Sequence, residues 1–126
     1  MSRCIEAEDL LAPIGQATAP HTRVRDAGIL YSAAARPESV LMSKRTYEST
    51  SERTAALLHA IMRWEPLDMW NPSFGWYAAE LMARTYGAEL TISALDRMIL
   101  TSEILGCRVN DVIEIAKRLA PFMRTE

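Results

Sequence analysis

The chain has 126 residues, 49% of them hydrophobic and 24% charged, with a net charge of −2. These figures describe one soluble globular domain over residues 1–126 and give no electrostatic basis for binding nucleic acid or an anionic membrane. Cys4 and Cys107 lack metal-ligand spacing, no apolar run approaches the ~18 residues of a membrane span, and the N-terminus lacks a signal-peptide pattern. The expectation is a cytoplasmic protein with free thiols.

In chain order, IEAEDLL (5–11) places Glu6, Glu8 and Asp9 at the positive end of a short helix and Leu10, Leu11 and Ile14 on its apolar side, with Pro13 and Gly15 limiting it. Residues 15–25, GQATAPHTRVR, read as loop by composition. Asp26 is a predicted N-cap for AGILYSAAAR, which Pro37 ends. Residues 38–48 show no clean period and read as a loop. Ser49 and Glu52 have capping-box spacing and open a helix with Ala55, Leu58, Ile61 and Met62 on one face.

An interruption then follows, RWEPLDMWNP (63–72), with two prolines and several large side chains. Beyond it Phe74, Tyr77, Ala78, Leu81 and Thr85 share a helical face, with Asn71 predicted as N-cap, Pro72 in the first turn and Gly87 as the stop. The segment TISALDRMILTSEIL (91–105) follows, with Ser93 and Asp96 near its start. Asn110 is predicted to cap a last helix, DVIEIAKRLAPFM, whose Val112, Ala116, Leu119 and Ala120 form a stripe. No strand pattern and no internal repeat is visible, so the predicted fold is all-α, a single compact bundle of about six helices.

Five of the nine aromatic residues, Trp64, Trp70, Phe74, Trp76 and Tyr77, fall in the central corner. Phe74 and Tyr77 are predicted core. Trp64, Trp70 and Trp76, spaced six apart, would point in widely different directions on one continuous helix, so they form the candidate protein-binding set, with Trp70 foremost. His59, on the preceding helix, and His21, in a loop, are assigned no role in the site.

The order AEDLL, VRDAGILYSAAARP, ERTAALLHAI, a proline-containing corner, a helix ending in YG, and LTSEILGCRVNDVIEIAKRL resembles the Doc branch of the Fic/Doc family from about Ile5 to Leu119. The resemblance implies an all-helical fold and, at the corner, a motif of the form HPFxDGNKR. Members use it to transfer part of a nucleoside triphosphate to a protein hydroxyl. Doc-type members are toxins that phosphorylate a translation elongation factor and are held inactive by an antitoxin.

In the family chemistry the His acts as base, the acidic residue helps hold a metal, and helix N–H groups with the Arg cradle phosphate. Laid along that motif, Glu65 stands at the His position, Leu67 at the Phe, Met69 at the acid, Trp70 at the Gly, Pro72 at the Lys and Ser73 at the Arg, while Pro66 and Asn71 match. Losing a general base costs on the order of 10²- to 10⁴-fold in rate. Trp70 is expected to fit poorly where the backbone must curl around phosphate.

The sequence therefore predicts a Fic/Doc-like pseudoenzyme that binds or regulates a protein, either an antitoxin-like peptide or a second copy of itself, with no cofactor and no metal. One alternative is a Doc-type toxin, a phosphoryl- or nucleotidyl-transferase using ATP or another nucleoside triphosphate with magnesium. In it Glu65, Asp68 and Asn71 are the candidate catalytic residues, and Asn71 and Ser73 the candidate nucleotide-binding ones. Another alternative is a structural or oligomerising helical module.

Overall fold

The computed structural model describes residues 4–125. Seven α-helices run in order: α1 Ala7–Leu11, α2 Ile14–Ala17, α3 Ala27–Ala35, α4 Thr50–Trp64, α5 Asn71–Thr85, α6 Ala94–Leu105 and α7 Val112–Leu119. The fold is mainly helical, with a helix count close to that expected; the extra one is α2, a single turn with Gly15 inside it.

The sequence reading missed two small antiparallel sheets. In the first, β1 (Val40–Leu41) pairs with β2 (Lys44–Arg45), with Met42 and Ser43 left-handed between them at φ 53 and 65. Two left-handed residues between paired strands are the geometry of a tight hairpin, so the expected loop at 38–48 carries a hairpin instead. In the second sheet β3 (Ala88–Leu90) pairs with β4 (Met123–Thr125), in the register Ala88 to Thr125 and Leu90 to Met123. Strands of two or three residues are too short to show an alternating pattern. The last helix accordingly stops at Leu119 rather than Met123, followed by a 3₁₀ turn, Ala120–Phe122, and β4.

Several start and stop signals act as expected. Asp26 accepts from the N–H groups of Gly28 and Ile29, and Ser49 with Glu52 completes a reciprocal capping box at α4. Ser93 accepts from the N–H of Asp96 at α6, and Gly87 takes φ 77 after α5. Two predicted caps are corrected. The cap of α7 is Asp111, which accepts from the Ile113 N–H; Asn110 lies one residue outside and turns its side chain to His59. Trp70 occupies the cap position of α5, and Asn71 is already inside the helix.

α4 is the central element. Every residue from Thr54 to Met62 is buried, not only the predicted face, because apolar clusters lie on both sides. Leu58 and Met62 join Trp76, Leu100, Ile104, Ile115 and Leu119 on one side. Leu57 and Ile61 join Leu10, Leu30, Leu67, Phe74 and Met82 on the other. The residues predicted for one face are thus divided between two cores. Gly75 permits the close approach of α5: a Cβ there would lie 3.2 Å from Leu58 Cδ1 and 3.5 Å from Ile61 Cγ2.

Candidate functional site

The corner between α4 and α5 is bracketed by two left-handed residues, Glu65 at φ 50 and Trp70 at φ 65. Each carries a steric cost of about 1–2 kcal/mol for a non-glycine residue, met by the bonds that hold the loop. The N–H of Glu65 donates to the carbonyl of Ile61 at 3.1 Å, closing α4. Arg25 then covers the open end of the helix: Nε donates to the Glu65 carbonyl at 2.8 Å and Nη2 to the Trp64 carbonyl at 2.9 Å.

The loop is also laced to the segment before α3. The N–H groups of Arg25 and Asp26 both donate to the Pro66 carbonyl, at 2.7 and 3.2 Å, and that of Asp68 to the Arg23 carbonyl at 3.0 Å. Val24 and Leu67 form a single antiparallel bridge, the one extended pairing that reaches into residues 52–86 among the described residues. Pro66 and Leu67 are buried. The expected loop at 15–25 is therefore one arm of the corner. The alternation Arg23–Val24–Arg25, polar–apolar–polar, was the signal that could have revealed it.

Asn71 closes the loop from inside. Its Oδ1 accepts from the Leu67 N–H at 3.0 Å and its Nδ2 donates to the Leu67 carbonyl at 3.1 Å, with the side chain 5% exposed. Both polar atoms are used within the protein, which makes this residue a clamp on the loop rather than a helix cap. The Phe74 N–H donates to the Trp70 carbonyl at 3.0 Å. Trp70 itself adopts the left-handed conformation that glycine takes without cost, at φ 65.

The remaining predicted residues divide. Glu65, Asp68 and Ser73 are exposed, and one Asp68 carboxylate oxygen accepts from the Arg23 N–H at 3.0 Å. Trp70 and Met69 are each 52% exposed and Trp64 36%. Trp76 is not part of that surface. At 5% exposure it belongs to the core, with its indole N–H donating to Thr101 Oγ1 at 2.8 Å and the Arg97 guanidinium 5.2 Å from its ring centre. Tyr77, predicted as core, is half-buried. Among the described residues no three His, Cys, Asp or Glu side chains are grouped to hold a metal ion.

A cluster that the sequence did not reveal lies under Trp64. Arg36, just after α3, sits 5.1 Å from the Trp64 ring centre and 5.8 Å from that of Tyr47. Its Nη1 bonds to the Ala56 carbonyl at 3.1 Å and to His59 Nδ1 at 2.9 Å. A guanidinium has no acceptor, so Nδ1 must be the accepting nitrogen and Nε2 carries the hydrogen, donating to Asn110 Oδ1 at 3.2 Å. Burial holds the His59 pKa below its usual value; the Asn110 bond opposes that shift, and the charges of Arg36 and Arg63 add to it. The imidazole lone pair is occupied, so His59 is no free base for the corner.

Two cavities among the described residues lie away from the corner. One of about 350 Å³ is lined by Ile5, Pro13, Tyr77 and Leu81 among others, and a groove of about 530 Å³ runs along α6. No helix of the described residues is long and apolar enough to cross a membrane.

No family profile matches the chain, and no solved structure matches it. Among curated proteins it is similar to Toxin Doc of Mycolicibacterium smegmatis, with 29% identity over 123 residues, covering 97% of this chain and 95% of that protein. That likeness spans nearly the whole of both chains and, together with the mainly helical fold, supports a relationship to the Fic/Doc family.

Proposed function

We propose that this protein is a non-catalytic Doc relative that uses the α4–α5 corner to bind a protein partner, an antitoxin-like peptide. The observation that carries the reading is the chemistry of the corner's outer side. Met69 and Trp70 stand half-exposed where a magnesium nucleotide would need an acid and an open backbone, Pro72 supplies no N–H to the first turn of α5, and Ser73 supplies no charge. The carboxylate next to Met69 in the chain, that of Asp68, is tied to the arm through the Arg23 N–H. Exposed tryptophan and methionine on a braced loop are favoured anchors for protein partners, because little ordering is left to be done on binding.

A second reading, a Doc-type toxin that modifies a protein hydroxyl with a nucleoside triphosphate, is favoured by one specific observation. The corner is an ordered loop, with Trp70 left-handed and Asn71 clamping it, and Glu65 is exposed at the position that the resemblance gives to the family base. The similar mycobacterial protein is itself named a toxin.

Calorimetric titration with ATP or GTP and magnesium at millimolar concentration separates the two. The first reading expects negligible heat, and expects co-purification with the short product of a neighbouring reading frame that Trp70→Ala weakens. Micromolar nucleotide affinity, or transfer of label from nucleotide to a protein substrate that Glu65→Gln abolishes, would establish the second.

A further inference from the structure

His59 is connected to the corner from beneath. Its Nδ1 accepts from Arg36 Nη1 at 2.9 Å, and the same guanidinium lies 5.1 Å from the ring centre of Trp64, one of the two tryptophans exposed at the corner. A buried imidazole thus reaches the surface through one arginine. The backbone of Trp64 has a separate hold, because Arg25 Nη2 donates to its carbonyl at 2.9 Å. The indole ring is the part that rests on Arg36.

The two sides of the imidazole respond differently to a proton. In the neutral ring each nitrogen is used, Nδ1 as acceptor from Arg36 and Nε2 as donor to Asn110 Oδ1 at 3.2 Å. The imidazolium is a donor at both nitrogens. Its bond to the Asn110 oxygen is kept and gains charge assistance. On the Arg36 side two cationic N–H groups then face each other, and the ring, at 9% exposure, has little water to screen them.

Nothing that bears on the ring offsets this. Its charged neighbours are Arg36, from the turn after α3, and Arg63, one turn along α4, whose Nη1 donates to the Leu105 carbonyl at the end of α6 at 3.3 Å. The segment before α7 supplies only the neutral Asn110 amide. The segment before α4 supplies Tyr47, whose hydroxyl accepts from Arg36 Nε at 3.2 Å. That hydroxyl and the Ala56 carbonyl give Arg36 partners to keep when it loses the imidazole.

We infer that His59 is a proton-operated latch on the corner: the neutral ring holds Arg36 beneath Trp64, and protonation at Nδ1 drives the guanidinium off and frees the indole. Burial and the two cations keep the ring neutral at pH 7, so the latch is closed there and opens only below the ordinary histidine range. The device is a property of the protomer. Its consequence for a partner, weaker capture in acid because the indole is no longer held in place, rests on the protein-binding reading of the corner. The movement of the indole does not.

Nuclear magnetic resonance on the full chain, following the His59 ring and the three indole N–H groups from pH 7.5 downward, tests the latch. Trp64→Phe and Trp70→Phe assign the indole signals. The Trp64 signal is expected to move with the same midpoint as the His59 ring, below 6.5, while that of Trp76, bonded to Thr101, stays in place. His59→Gln retains an oxygen acceptor for Arg36 and has no proton to gain, so the movement should vanish even though Glu65 and Asp68 are still present. Arg36→Gln removes one of the two cations, so the His59 midpoint should rise toward 6.5 and Trp64 should no longer follow it.

A Trp64 signal that stays still while His59 titrates overturns the inference. So does a movement that survives in His59→Gln, or one that still follows the His59 ring in Arg36→Gln. A chain that unfolds before the ring has titrated overturns it as well, because the folded protein would then have no open state.

Discussion

The Nδ1 lone pair of His59 points at the guanidinium of Arg36, 2.9 Å away, so a proton can be added to this ring only by breaking that bond and placing two cations side by side. The ring is 9% exposed. The charges that bear on it are Arg36 and Arg63, and the Asn110 amide oxygen gives it partial compensation.

That arrangement predicts a loss of stability on mild acidification. A folded-state pKa held below the unfolded value of 6.5 means that the unfolded chain binds the proton more readily, so the contribution is fully present above about pH 6.5 and is lost as pH falls from there through the folded pKa. Urea midpoints should therefore fall between pH 7.5 and pH 5.5 in the wild type. In His59→Gln most of this dependence should vanish, whereas His21→Gln should retain it. Equal slopes in all three proteins would show that His59 is not the group responsible.

The tryptophans of the corner should separate sharply in stability. Trp76 fills the core and bonds to Thr101, so Trp76→Ala is expected to cost about 3–5 kcal/mol. Trp70 is half-exposed and left-handed, so Trp70→Ala should cost less than about 1 kcal/mol. Trp70→Gly should equal or exceed the wild type, because it releases a backbone cost of about 1 kcal/mol. A loss of ~3 kcal/mol in Trp70→Ala would mean that the indole plugs an interior site.

Asn71→Ala strips both partners from the Leu67 peptide and leaves a buried N–H and a buried carbonyl unsatisfied. The expected cost is about 2–3 kcal/mol in chemical denaturation. Asn71→Asp keeps the acceptor but sets a carboxylate against the Leu67 carbonyl, and it should recover little of the loss. If Asn71→Ala were as stable as the wild type, the clamp would not be what holds the corner.

Gly75→Val tests the closeness of α4 and α5. A β-carbon there meets Leu58, Ile61 and Met62 at 3.2–3.5 Å, and the two further methyl groups have no free direction between the helices. A loss of about 1–3 kcal/mol in thermal unfolding is expected.

Local signals in the sequence determined most of the helical framework. Asp26, Ser49 with Glu52, Ser93 and Gly87 act through bonds or dihedral angles within four residues of themselves, so their meaning survives whatever the rest of the chain does. The corner's location and the family relationship were legible for the same reason, as residues in order along the chain. Tertiary structure decided the rest.

Asn71 and Asn110 are both good caps by composition, yet one turns inward to clamp Leu67 and the other reaches 51 positions back to His59. Periodicity gave α4 one face, but cores on two sides bury it all round; α6 has apolar residues on two sides and keeps one bare. Which of three tryptophans stays at the surface depended on the angle at which α5 leaves the corner. That angle is set by the left-handed turns at Glu65 and Trp70 and by the Arg23–Asp26 arm bonded across the loop, a pairing between segments some forty residues apart that no local pattern encodes.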